Sequence, residues 1–165
     1  MIIRGAKILL LFAIALFYSI VVFNNLTDYN SNYFFVYHVL QMDSTFPGNQ
    51  AMWRAVHSTF VYRSFYDSII CWETLTALLC WTGGTLLVKK FRSPASEFNL
   101  AKRVPVVALT LGMLMWFVAF LTVGAEWFLM WQSKTWNGQE AAFRMFAVLG
   151  IVLIFMAMKD VEEQA

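Results

Sequence analysis

Apolar residues make up 60% of this 165-residue chain and charged residues 13%, against roughly 45–50% and about 25% in a soluble domain. A water-soluble fold of this size cannot hide so much apolar surface, so the sequence reads as one small membrane-embedded domain over 1–165 with no room for a separate soluble unit. The net charge of +2 is not gathered into a basic face and gives no case for nucleic-acid binding.

Four apolar segments follow in chain order, near 8–24, 64–88, 104–130 and 141–158. Each approaches the ~20 residues that a helix needs to cross the hydrocarbon core. The expected fold is therefore an all-α four-helix membrane bundle. The first segment follows Arg4 and Lys7 as a secretion signal would, but it ends in Asn24-Asn25-Leu26 without a small-x-small cleavage site, so it reads as an uncleaved anchor. Lys7 is expected to snorkel to the interface. The second segment carries Asp67, Glu73 and both cysteines. On one helix, Cys71 and Cys80 project from roughly opposite faces and read as small buried hydrophobes. Gly83, Gly84 and Gly112 are small residues that let helices approach closely. Pro105 opens the third segment, where a missing N–H costs least.

Lysine and arginine placement orients the bundle. Arg4, Lys7, Lys89, Lys90, Arg92, Lys102, Arg103 and Lys159 fall on one side, and Arg54, Arg63 and Lys134 on the other. By the positive-inside rule both termini and the 89–103 loop are cytoplasmic, and the 24–63 and 129–140 loops face outward. The first outer loop holds Tyr29, Tyr33, Phe34, Phe35, Tyr37, Phe46, Trp53, Phe60 and Tyr62, too aromatic for a flexible tether. Short interfacial helices are expected over 32–42 and after Asn49, the latter running through Met52, Trp53 and Val56. Trp127, Trp131 and Trp136 continue the aromatic belt. The polar turn 132–139 is expected to dock on Asn24, Asn25, Thr27 and Asp28.

Ionisable groups inside a bilayer are expensive and have partners or a function. Glu73, Glu126 and Arg144 stand out. If the third and fourth segments form an antiparallel hairpin, Glu126 and Arg144 reach similar depth and pair. Glu73 either stays neutral or shares Arg144 in an ionic cluster, while Asp67 pairs with Arg63 one turn away. The expected outer interaction surface is Asp28, His38, Asp43, Trp53, Arg54, His57, Trp131 and Trp136. His38, Asp43, His57 and Asp67 lack any ligand spacing, and the histidines lie outside the spans, so no metal, haem or other cofactor is expected.

Several strings are distinctive: Val-Val-Phe-Asn-Asn-Leu-Thr-Asp-Tyr at 21–29, His-Val-Leu-Gln-Met-Asp-Ser-Thr-Phe-Pro-Gly-Asn at 38–49, Met-Trp-Arg-Ala at 52–55, Glu-Trp-Phe-Leu-Met-Trp-Gln-Ser at 126–133 and Trp-Asn-Gly-Gln-Glu-Ala-Ala-Phe-Arg at 136–144. Together they resemble a bacterial family of predicted small integral membrane proteins, a domain of unknown function, across nearly the whole chain. The resemblance implies a bacterial inner membrane and supplies no reaction or substrate. The first functional expectation is a non-enzymatic accessory or scaffold subunit that contacts the bilayer and another membrane protein or a second copy of itself. The alternative is lipid, quinone or proton binding in an outer-leaflet pocket near Glu73, Glu126 and Arg144.

Overall fold

A computed structural model describes residues 1–161, and these are helices and connecting turns without strands. Helix α1 spans Ile2–Thr27, α2 Tyr29–Gln41, α3 Thr59–Lys89, α4 Ala95–Ala101 and α5 Arg103–Leu114. A π-helix follows over Met115–Trp127, and α6 spans Gln139–Ala157. Among the described residues, four helical runs are long and apolar enough to cross a membrane: Ile2–Thr27, Thr59–Lys89, Ala95–Trp127 and Gln139–Ala157. The expected segments 8–24 and 64–88 lie inside the first two runs, while 104–130 and 141–158 overlap the last two and pass their C-terminal ends.

Helix α3 is the spine. Its 31 residues extend about 46 Å at 1.5 Å per residue, well beyond a hydrocarbon core of about 30 Å. It therefore projects from the apolar bundle, and α2 lies along the projecting part. Tyr29 Oη donates to Asp67 at 2.8 Å, and Tyr37 meets Tyr62 edge-on at 5.0 Å. The buried stripe of α3 recurs at helical spacing through Tyr62, Tyr66, Ile69, Ile70, Glu73, Thr76, Ala77, Cys80, Gly83, Gly84 and Leu87. The two adjacent glycines serve different neighbours. A Cβ on Gly83 would lie 2.9 Å from Pro105 Cδ, whereas one on Gly84 would strike the Phe12 ring of α1.

The third span changes helix type midway. Pro105 falls in the first turn of α5, where backbone N–H groups have no intrahelical partner. From Met115 the chain is π-helical: the Phe128 N–H donates to Val123 O, five residues back, at 3.0 Å. Runs of this kind are rare and nothing in the hydropathy pattern signals one. Near the change, Trp72 Nε1 donates to Leu111 O at 3.0 Å, and Trp116 Nε1 donates to the buried Tyr18 Oη at 3.0 Å.

One end of the bundle is basic and tightly bonded. Lys7 does not snorkel. It is 1% exposed, and its Nζ donates to Asp160 Oδ2 at 2.7 Å and Met158 O at 2.6 Å. Lys102 Nζ donates to the same two residues at 2.8 and 2.7 Å. Arg4 donates to the Phe91 and Ser93 carbonyls, and Asn99 holds the Asp160 backbone through its N–H and C=O. A buried carboxylate thus gathers the start of α1, the α4–α5 junction and the segment after α6.

At the aromatic end, the 132–139 turn docks on the first loop at a different place from the one expected. Gln132 Oε1 accepts from Phe46 N–H at 3.0 Å and Asn49 Nδ2 at 3.4 Å, and Ser44 Oγ donates to Ser133 Oγ at 2.8 Å. The expected helix after Asn49 is only a 3-10 turn, Met52–Arg54. Asn49 Oδ1 takes the Ala51 N–H, which favours a tight turn over helix propagation.

Candidate functional site

Between α1, α2, α3, the π-helix and the start of α6 lies a cavity of about 240 Å³, lined in part by Val21, Phe35, Val36, Ile69, Trp116, Phe120 and Ala141, with polar side chains from Asn25, Asn32, Tyr66 and Glu73. The bend at Asp28 shapes it. There φ −127° and ψ 60° break α1 from α2, so Asn25 faces α3 from one helix and Asn32 from the next. Asn32 Nδ2 donates to Asn25 Oδ1 at 2.6 Å, and Asn25 Nδ2 donates to Glu73 Oε2 at 2.6 Å. Ser31 Oγ donates to Asp28 Oδ2 beside the bend.

Glu73 lies about 21 Å along α3 from Thr59 and is 3% exposed. Among the described residues its carboxylate meets no lysine, arginine or histidine within ion-pair distance. Its bonded partner is the neutral Asn25 amide, and Oε1 takes no hydrogen bond. Tyr66, two helical turns earlier on the same buried stripe, is 1% exposed. Its hydroxyl is buried close to Asn32, yet no partner stands in hydrogen-bonding geometry. Buried polar atoms are nearly always satisfied, so an open carboxylate oxygen and an orphan hydroxyl on one cavity wall mark a place where something else can bond. The other walls are aromatic: Trp116 and Phe120 centroids are 4.8 Å apart, and Phe35 stacks on Phe120 at 6.4 Å.

The other ionisable residues singled out in the sequence lie elsewhere. Glu126 and Arg144 are both exposed and do not pair, so the expected three-residue cluster with Glu73 does not form among the described residues. Depth in a hairpin does not fix azimuth. Glu126 is carried by the π-helix, whose pitch turns it to a groove with Thr122, Asn137, Glu140 and Phe143. Asp67 takes the Tyr29 hydroxyl in place of Arg63. His38 Nδ1 meets Asp43 Oδ2 at 2.6 Å, and its ring stacks on Trp136 at 4.4 Å. His57 is exposed in the coil before α3. Among the described residues no three His, Cys, Asp or Glu side chains converge as metal ligands. The Arg54 guanidinium lies over the rings of Trp53 and Trp127, at 5.3 and 4.8 Å from their centroids, and Trp131 meets Phe46 edge-on.

The sequence profile of predicted small integral membrane proteins, DUF2165, matches residues 3–159. The chain belongs to this family. The match takes in the four apolar runs, all but Ile2, and every residue lining the cavity. Neither a curated protein nor a solved structure shows a significant match.

Sequence reasoning found Glu73 and missed the residues that surround it. Tyr66 carried a readable signal, because positions seven apart on a helix share a face. Asn25 and Asn32 carried none, since their approach to Glu73 depends on the bend at Asp28.

Proposed function

We propose that this protein is a non-enzymatic binding protein of the bacterial inner membrane, which holds a small amphipathic molecule with its polar head at Glu73 and its apolar part among Phe35, Trp116 and Phe120. The observation that carries this reading is the cavity containing a buried carboxylate with one unused oxygen next to an unpartnered tyrosine hydroxyl. Small-molecule sites are mostly apolar concavities with a few convergent polar groups, and this cavity has that composition. Lysine and arginine asymmetry supports cytoplasmic termini and a cavity in the outer half of the membrane.

A second reading, an accessory subunit of a membrane complex, draws on a separate feature. Glu126 and Arg144 are exposed on membrane-crossing runs and unpaired with each other, and a neighbouring protein with complementary charges would satisfy them. The two readings separate in one experiment: extraction from the native membrane into nanodiscs, followed by mass spectrometry of co-purifying small molecules and proteins. A stoichiometric small molecule, lost in Ala141→Phe, which fills the cavity wall, supports the binding protein. A stoichiometric protein partner retained by Ala141→Phe, with no small molecule in either form, overturns it in favour of the accessory subunit.

A further inference from the structure

The cavity's chemistry narrows the class of its ligand, given the binding role above. We propose that the ligand is an organic cation, an amine or quaternary ammonium whose charge sits against the Glu73 carboxylate and whose substituents contact Phe35, Trp116 and Phe120.

Charge is the first argument. Glu73 is buried in a membrane-crossing helix and bonded by an uncharged amide, with no cationic side chain in ion-pair contact among the described residues. A buried carboxylate that stays ionised needs a compensating charge as well as hydrogen bonds, and without one it takes up a proton. A cationic ligand supplies that charge. An anionic head group would instead meet like charge, and the lysines and Arg4 that bond Asp160 and backbone carbonyls lie at the far, basic end of α1 and α5.

The direction of the hydrogen bonds agrees. One N–H of each amide lining the cavity is engaged, Asn32 Nδ2 with Asn25 Oδ1 and Asn25 Nδ2 with Glu73 Oε2. Glu73 Oε1 and Tyr66 Oη are open, one an acceptor and the other able to accept. The site offers acceptors to a ligand that brings donors or positive charge, as an alkylammonium does.

The walls fit the same class. Aromatic faces attract cations through the negative face of the ring, and aromatic enclosure with a carboxylate is a general solution to ammonium recognition. Phe35, Tyr66, Trp116 and Phe120 all line the cavity. Trp116 is fixed by its bond to Tyr18, and Tyr66 by edge contact with Tyr29 at 4.7 Å. A ring held in place loses less freedom on binding.

The test uses the full chain in nanodiscs, with calorimetric titration of phenyltrimethylammonium and of its uncharged isostere tert-butylbenzene, and empty nanodiscs subtracted. The expected result is at least tenfold tighter binding of the cation, with the preference abolished in Glu73→Gln, whose side-chain oxygen still accepts from Asn25. Phe120→Leu leaves the polar network intact and is expected to weaken the cation at least threefold, which keeps the test decisive if Glu73→Gln fails to fold. Equal binding of both probes, weakened alike by Ala141→Phe, overturns the cation assignment and leaves the binding protein standing. Failure of both probes to bind, or binding indifferent to Ala141→Phe, overturns both.

Discussion

Replacing Asp160 by Asn should unfasten the basic end of the bundle. The carboxylate takes Lys7 Nζ at 2.7 Å and Lys102 Nζ at 2.8 Å, with side-chain exposures of 5%, 1% and 6% for Asp160, Lys7 and Lys102. At an effective dielectric of about 20, each contact has a gross attraction of about 6 kcal/mol, most of it offset by desolvation. Removing one partner from such a buried group costs about 3–5 kcal/mol, because the remaining charges stay buried without compensation. Both lysines keep Met158 O as an acceptor, which places the expected loss near about 3 kcal/mol. Equilibrium unfolding in mild detergent measures it, with exposed Lys159→Ala as a control expected within about 0.5 kcal/mol of wild type. The pH dependence adds a signature. Burial alone would raise the Asp160 carboxyl, but hydrogen bonds and charge from Lys102 and Lys7 outweigh it and hold the group below the usual carboxylate range. Its stabilisation is therefore complete above the unfolded value of about 3.9 and fades as pH falls through the lower folded value. The gap between wild type and Asp160→Asn should close in that acidic window. A gap under about 1 kcal/mol at neutral pH would refute the reasoning.

Gly83→Ala should cost about 1–3 kcal/mol through overpacking, since its new Cβ meets both the ring and the backbone nitrogen of Pro105. Adding Pro105→Ala should recover part of that loss in the same unfolding assay, and strictly additive effects would contradict direct contact. Glu126→Ala and Arg144→Ala should each change stability by under about 0.5 kcal/mol, with no coupling in the double variant. A coupling above about 1 kcal/mol would mean that the two side chains do meet. In a chain with Cys71→Ala and Cys80→Ala, a thiol at Gln50→Cys should react with a membrane-impermeant maleimide in intact cells, and one at Ser93→Cys only after lysis. The opposite pattern would invert the proposed topology.

Much of the candidate site was legible as a need and not as an answer. Glu73 is conspicuous in any reading of α3, because an ionisable group in an apolar run must be compensated somewhere. The sequence offered Arg144 as the nearest charge by depth, yet the structure brings up Asn25. That choice follows from rotation about helix axes and from the break at Asp28, neither of which hydropathy encodes. The same reasoning explains Glu126, whose azimuth is set by the π-helix of the third span, and the loop docking through Gln132 and Ser133.

By itself the sequence determined the four apolar runs, the segregation of basic residues from aromatic ones, and the all-helical class. Bilayer thickness and backbone hydrogen bonding leave a chain of this composition few other solutions. Tertiary structure alone decided which polar groups meet: Asp160 with Lys7 and Lys102, Asn25 with Glu73, and the His38 ring on Trp136. Composition and period depend on each residue's free energy of transfer, which is local. Pairing depends on helix azimuth, bend and register, which are settled by the packing of all the helices together.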